Sequence, residues 1–154
     1  MASTVGTILD LFRTAQQQIR DDLRDIDPAA LNWVPGSDTS SIAILVAHML
    51  GSESETLRVV KALPSDRIRD TEFEVEPKSV AEVLRHVDAA DQLLEEIGGT
   101  ITDGDLSSLS SRMNRPPESG LFHLLRCYGH VREHTAHLEL TRQLYEQRAG
   151  PGGG

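Results

Sequence analysis

The chain has 154 residues, of which 38% are hydrophobic and 25% are charged, and this is the size and composition of one globular domain. Its formal net charge of −9 argues against a protein that binds nucleic acid, and an anionic membrane surface would repel it. The single cysteine, Cys127, cannot form a disulfide within the chain, and no apolar run reaches about eighteen residues. We therefore expect a cytoplasmic protein that binds neither nucleic acid nor membranes.

Two segments in the first half of the chain have the apolar periodicity of a helix. The first extends from about residue 4 to 25 and ends before Pro28, because the residue before a proline disfavours the helical conformation. Its predicted apolar face comprises Ile8, Leu11, Phe12, Ala15, Ile19 and Leu23. The second helix extends from about residue 41 to 62 and ends before Pro64. Its predicted apolar face comprises Ile42, Leu45, Met49, Leu57 and Val60.

Two further helices are predicted in the second half. The third opens at Ser79, which with Glu82 has the spacing of a capping box, and ends at Gly98-Gly99. The fourth extends from about residue 117 or 119 to 148. Long connections separate the last three helices, and such loops can cross the end of a bundle and wall a pocket.

These elements predict an all-α domain, a four-helix bundle with long crossing connections, over residues 1–150. Residues 151–154 form a flexible glycine-rich tail in this prediction. Within the second connection, residues 72–76 alternate charged with apolar side chains, which predicts a short extended piece.

Histidines are the unusual feature of the sequence. His130, His134 and His137 lie at spacings of four and three residues, which places them on one stripe of the fourth helix. Imidazoles at such spacings are close enough to bind one metal ion. His48 lies within a mainly apolar stretch after residues 42–47, where a polar ring without a partner is costly. A metal centre is one interpretation; a hydrogen-bonded core histidine and a solvated histidine face are the alternatives.

A zinc-peptidase site is another interpretation of the same residues. His130 and His134 are part of an H-x-x-E-H motif in which Glu133 would be the general base. Glu133 is about 100° around the helix from His134, so we expect it to point away from the histidine stripe, and we do not favour this chemistry. Cys127 is an alternative soft ligand or a small buried hydrophobe, whereas His86 and His123 are predicted to be surface or structural residues.

The order of several motifs along the chain resembles the DinB-like superfamily. Leu31-Asn32-Trp33-Val34-Pro35 is similar to the family's L-x-W-x-P loop, which leads into the helix that carries His48. Gly104-Asp105-Leu106, residues 120–125 and the His130 to His137 segment match the second half of the family pattern. The resemblance implies a four-helix bundle, often a homodimer, with a divalent metal held by three side chains.

Carried over to this chain, those ligands are His48, His130 and His134, and His137 stands where many relatives have Gln. Zinc suits three imidazoles and a soft fourth ligand, with nickel, manganese and iron as alternatives. Relatives with known activity are mostly thiol-dependent transferases that use mycothiol or bacillithiol. The mycothiol-dependent maleylpyruvate isomerases have Glu in place of one paired histidine, so the resemblance does not imply isomerase activity here.

The predicted function is a divalent-metal-dependent S-transferase, in which the metal activates a low-molecular-weight thiol for attack on an electrophile. Arg112 and Arg115 are the candidates for binding the carboxylate of the thiol. Ser52 and Glu55, one and two turns after His48, are candidates for supporting the metal site. The alternative is a non-catalytic metal- or ligand-binding stress-response module with the same fold.

Overall fold

Helices dominate the computed structural model, which describes residues 3–148. Its helices are α1 (Thr4–Leu23), α2 (Ile42–Val60), α3 (Val80–Glu96), the short α4 (Asp103–Ser107) and α5 (Gly120–Arg148). Shorter 3-10 helices occupy Pro28–Ala30, Arg69–Glu74 and Gly98–Thr100. Strands β1 (Leu109–Ser110) and β2 (Glu118–Ser119) pair antiparallel. The predicted all-α bundle of four long helices is confirmed; the predicted tail lies outside the described residues.

Helix α2 packs against α3 and α5, and α1 packs against the same two helices from the other side. Fully buried side chains from every long helix form the core: Phe12, Ile19, Leu23, Ile42, Met49, Leu57, Leu94, Leu124 and Leu138. The predicted place of Leu11 on the apolar face of α1 is wrong, since its side chain is 37% exposed. Leu11 lies at the edge of the stripe defined by Phe12 and Ile19.

The cap of α3 differs from the prediction. The Ser79 hydroxyl accepts a hydrogen bond from the Glu82 amide at 3.3 Å, as expected for an N-cap. The Glu82 carboxylate, however, accepts from the amide of Lys78 at 2.9 Å, one residue before the cap, so the predicted capping box is only half formed. A complete capping box forms at α4 between Thr102 and Asp105.

Two connections place side chains that matter for the site. The predicted extended piece over residues 72–76 is wrong for its first part, because Arg69–Glu74 forms a 3-10 helix that buries Glu72. The L-x-W-x-P loop packs against α5, since Trp33 contacts the ring of Tyr145 edge-on at 5.6 Å between centroids. No helix within residues 3–148 has both the length and the apolar character needed to cross a bilayer.

Candidate metal centre

Three histidines from two helices converge where α2 packs against α5. The ligand atoms of His48, His130 and His134 all lie within 4.8 Å of one another. His48 Nε2 and His130 Nε2 are 3.2 Å apart. Two nitrogens bound to one tetrahedral zinc at about 2.0–2.1 Å would be roughly 3.3 Å apart, so this pair has the separation that a shared ion requires.

Helix geometry explains why these rings meet. His130 and His134 are one turn apart on α5, and each precedes a buried residue of the core face, Val131 and Thr135. His48 precedes the fully buried Met49 on α2. All three rings therefore stand at the border of the packed interface, half-buried rather than fully enclosed.

Burial keeps the three imidazoles in the neutral form, which is the form that binds a metal ion. The pKa of His48 is lowered to about 4, first by burial and then by the adjacent rings of His130 and His134. The pKa of His130 is lowered to about 4 by burial and by His134. Burial and the neighbouring His137 lower the pKa of His134.

A buried carboxylate stands behind His48. His48 Nδ1 has no hydrogen-bond partner among residues 3–148 and lies 3.5 Å from Glu72 Oε2. Because His48 is neutral, this contact is not an ion pair. Metal-ligating histidines usually donate their second ring N–H to a carboxylate or carbonyl, which fixes the tautomer. Glu72 therefore stands where it can orient His48.

Gly51 makes room for the Glu72 carboxylate against α2. A Cβ atom at Gly51 would lie 2.8 Å from Glu72 Oε2, closer than side chains tolerate. The carboxylate has little freedom to move away, because Arg67 donates to Glu72 Oε1 at 2.7 Å and to Oε2 at 3.0 Å. Burial raises the pKa of Glu72, and the hydrogen bonds and charge of Arg67 oppose that effect.

Arg67 also donates hydrogen bonds to a second carboxylate, that of Glu55. Arg67 Nη1 donates to Glu55 Oε2 at 2.7 Å, and Arg112 Nη2 donates to that oxygen at 2.6 Å. Burial opposes ionisation of Glu55, but its hydrogen bonds to the two arginines outweigh burial and lower its pKa. Arg112 also donates to Ser52 Oγ and Thr56 Oγ1, both at 3.1 Å. The predicted candidates Ser52 and Glu55 thus contact Arg112.

A cleft of about 200 Å³ opens beside the histidines. Its lining includes His48, His130, Ser52, Cys127 and five arginines, among them Arg112 and Arg115. We call it the arginine cleft. Both predicted thiol-binding arginines therefore line the same cleft as His48 and His130, with Arg115 exposed and Arg112 paired with Glu55 of α2.

Comparison with known proteins identifies the family. The sequence model of the DinB superfamily matches residues 11–138. The chain belongs to the DinB superfamily.

Solved structures of DinB-like proteins share the fold over nearly the whole chain. A DinB-like protein from Bacillus subtilis has 15% sequence identity and a TM-score of 0.72, and the match covers 96% of this chain and 97% of that one. A DinB-like protein from Bacillus cereus has 14% identity and a TM-score of 0.77, with 95% of each chain covered. A conserved protein from Enterococcus faecalis has 14% identity and a TM-score of 0.79, covering 96% of this chain and 99% of that one. A search of curated protein sequences finds no match.

The other predicted residues of this DinB superfamily member lie outside the three-histidine group. His137 is exposed, with its Nδ1 3.4 Å from His134 Nδ1. Cys127 is buried, which raises the pKa of its thiol to about 11. Glu133 is exposed, as expected for a residue off the stripe. His123 Nε2 lies 2.8 Å from the Ser110 carbonyl oxygen, a structural contact, and His86 is exposed.

Sequence reasoning missed four residues around the site. Arg126 precedes His130 by four residues, so its place on the histidine stripe of α5 was visible in the spacing. Arg67, Arg69 and Glu72 lie in a connection with no helical apolar period. Their positions depend on the 3-10 helix, for which the alternating pattern gave no signal.

Proposed function

We propose that this chain is a divalent-metal-dependent thiol S-transferase whose ion is held by His48, His130 and His134. The observation that carries the proposal is the convergence of three neutral imidazoles from two helices, with His48 Nε2 and His130 Nε2 3.2 Å apart. Three protein ligands are the usual set of a catalytic zinc site, because the fourth position stays open to a substrate or water. Nickel, manganese and iron are further candidates for such a ligand set.

The resemblance to thiol-dependent relatives and the cleft beside these ligands support a thiol as the substrate. A bound divalent ion would lower the pKa of a coordinating thiol, and the thiolate is the nucleophilic form. The sulfur would form a bond to the electrophilic carbon, the leaving group would depart with its electron pair, and the proton of the thiol would pass to solvent. The substrate would be a low-molecular-weight thiol of the mycothiol or bacillithiol type.

The chain's own side chains would prepare the site. Glu72, held by Arg67, is placed to fix the orientation of His48 through Nδ1. Cys127 lines the cleft, but with a pKa of about 11 it stays protonated at neutral pH and would not compete with a substrate thiol. Arg115, exposed at the same cleft, would bind an acidic group of the thiol.

Conjugation of monochlorobimane to mycothiol, bacillithiol or glutathione tests the proposal. The protein would be stripped of metal, reloaded separately with zinc, nickel, manganese or iron(II), and assayed with each thiol. We expect turnover with one thiol that depends on the metal and is lost in His130→Ala. The matched control is His137→Ala, which removes an exposed histidine from the same helix and should retain turnover.

Two outcomes would overturn the transferase proposal. Turnover that survives both metal removal and His130→Ala would show that the histidines are not the reacting centre. Binding of metal without turnover for any thiol would instead favour the non-catalytic metal- or ligand-binding module.

A further inference from the structure

The arginine cleft concentrates positive charge on an acidic protein. Its lining contains Arg67, Arg69, Arg112, Arg115 and Arg126, a third of the 15 lysines and arginines in a chain of net charge −9. Three separate parts of the chain supply them: the connection from α2 to α3, the connection from β1 to β2, and α5. Convergence of like charges from distant segments opposes folding unless something balances them.

Only part of this charge is balanced within the described residues. Arg67 pairs with Glu55 and Glu72, and Arg112 pairs with Glu55. Two carboxylates therefore face five guanidinium groups, which leaves three positive charges in excess. Across residues 3–148, the guanidinium groups of Arg69, Arg115 and Arg126 have no carboxylate within 4.0 Å.

The unpaired arginines differ from the paired ones in exposure. Arg67 and Arg112 have side chains only 11% and 18% exposed, and their donors are used by carboxylates and hydroxyls of the fold. Arg69, Arg115 and Arg126 are exposed at the mouth of the cleft. The paired arginines are therefore held by the fold, whereas the unpaired ones line the cleft as exposed cations whose donors are not used by a carboxylate.

A second recess continues from the same arginines. Arg115 and Arg126 also line a neighbouring space of about 100 Å³ together with Phe122 and His123. Glu118 lies in that lining too, and is its one carboxylate. An anionic group held between the two arginines would thus lie beside an aromatic surface on one side and the histidines on the other.

We propose that Arg69, Arg115 and Arg126 form a binding site for an oxyanion, a carboxylate or phosphate group of a small molecule, at the mouth of the metal site. A guanidinium presents two parallel N–H donors that match the oxygens of either group. The cleft volume of about 200 Å³ is below that of drug-sized ligand pockets, which fits a small metabolite. Where the proposed transferase function holds, and resting on it, the thiol or the electrophile carries this group.

Calorimetric titration of metal-free protein with inorganic phosphate, and separately with succinate, tests the site. Sodium chloride at equal ionic strength corrects for screening. We expect saturable binding that weakens about tenfold or more in the double variant Arg115→Ala/Arg126→Ala. The matched control, Arg85→Ala/Arg132→Ala, removes the same charge from exposed positions outside the cleft and should bind as wild type does.

The titrations decide whether the three arginines form an anion site. Binding of either anion above the chloride background, lost only in the cleft variant, supports the site, and the stronger of the two anions identifies the preferred oxyanion. No saturable binding of either anion, or equal weakening in both double variants, overturns it. The same titration on His130→Ala separates the two proposals, because an anion site made of arginines survives loss of a metal ligand. Anion binding found only in metal-loaded wild type would overturn the arginine site.

Discussion

Two buried carboxylic acids, Glu53 on α2 and Glu72 packed against α2, have very different surroundings. Glu53, on α2 itself, is 1% exposed and accepts one hydrogen bond, from Gln16 Nε2 at 2.6 Å. Its second oxygen has no partner within residues 3–148. Glu72 is 8% exposed, but both its oxygens accept from Arg67 and one of them faces His48.

The difference lies in the charge of the neighbour. Burial, and after it the negative charge of Asp91, raise the pKa of Glu53 to about 8, so this side chain is protonated at neutral pH. At Glu72 the cation of Arg67 opposes the effect of burial. A buried carboxylate with an arginine can serve to position a neighbour, whereas one without a cation is a cost to stability that grows with pH.

Removing Arg67 should have the largest effect. Arg67→Met keeps most of the apolar stem but leaves Glu72 without its cation and Glu55 with one arginine instead of two. We expect the free energy of unfolding to fall by about 3–5 kcal/mol, the usual loss when one partner of a buried ion pair is removed. Urea denaturation measures it. Arg69→Met, an exposed neighbour, should stay within about 0.5 kcal/mol; a loss below about 1 kcal/mol in Arg67→Met would show that Glu72 needs no cation.

The pH dependence of the free energy of unfolding should show that Glu53 is protonated in the folded state. Its pKa rises from 4.5 to about 8 on folding, so between these values the folded state binds more protons than the unfolded state. The free energy of unfolding therefore declines as pH rises from about 4.5 to 8. In Glu53→Gln this contribution is absent, and the variant should gain on the order of 2–4 kcal/mol relative to wild type between pH about 5 and 7.5.

Urea denaturation at a series of pH values measures that gain. The difference between the two proteins isolates Glu53, because every other titrating group is present in both. A constant difference across the pH range would mean that Glu53 is not protonated in the folded state.

Glu72→Gln tests whether the carboxylate positions His48. We expect zinc affinity to fall about 10- to 100-fold, as is typical when the outer partner of a ligating histidine is replaced. Competition against a chromogenic chelator measures the change. Glu74→Gln, an exposed glutamate in the same 3-10 helix, is the control and should bind zinc as wild type does. Equal affinity in both variants would remove Glu72 from the site.

Gly51→Ala should weaken zinc binding less than Glu72→Gln does. In Gly51→Ala the new Cβ would approach Glu72 Oε2 to 2.8 Å and displace the carboxylate from His48. We expect zinc affinity to fall by less than about tenfold, since Glu72 keeps its charge. Gly129→Ala, where a Cβ meets no atom within 4 Å, should leave affinity unchanged. Wild-type affinity in Gly51→Ala would mean that the packing of Glu72 does not matter.

Apolar periodicity predicted the helices, and histidine spacing together with the family motifs predicted which three histidines form the candidate metal site. Periodicity and spacing are both properties of residues within one helix, so the sequence alone displays them. His130 and His134 needed only the four-residue period, and His48 was conspicuous in its apolar surroundings. Glu72 and Arg67 could not be predicted in this way. A 3-10 helix that contacts α2 buries Glu72, and Arg67, which lies just before that helix, donates to the Glu72 carboxylate. Alternating charges indicate nothing about such contacts. The same holds for the grouping of Arg69, Arg115 and Arg126, which only tertiary structure brings together.

Calorimetric titration of metal-free protein with zinc tests most directly whether His48, His130 and His134 hold one ion. We expect one zinc per chain in wild type and in His137→Ala, and no comparable binding in His48→Ala, His130→Ala or His134→Ala. Absence of zinc binding by correctly folded wild type, or undiminished binding after loss of His130, would contradict the metal centre.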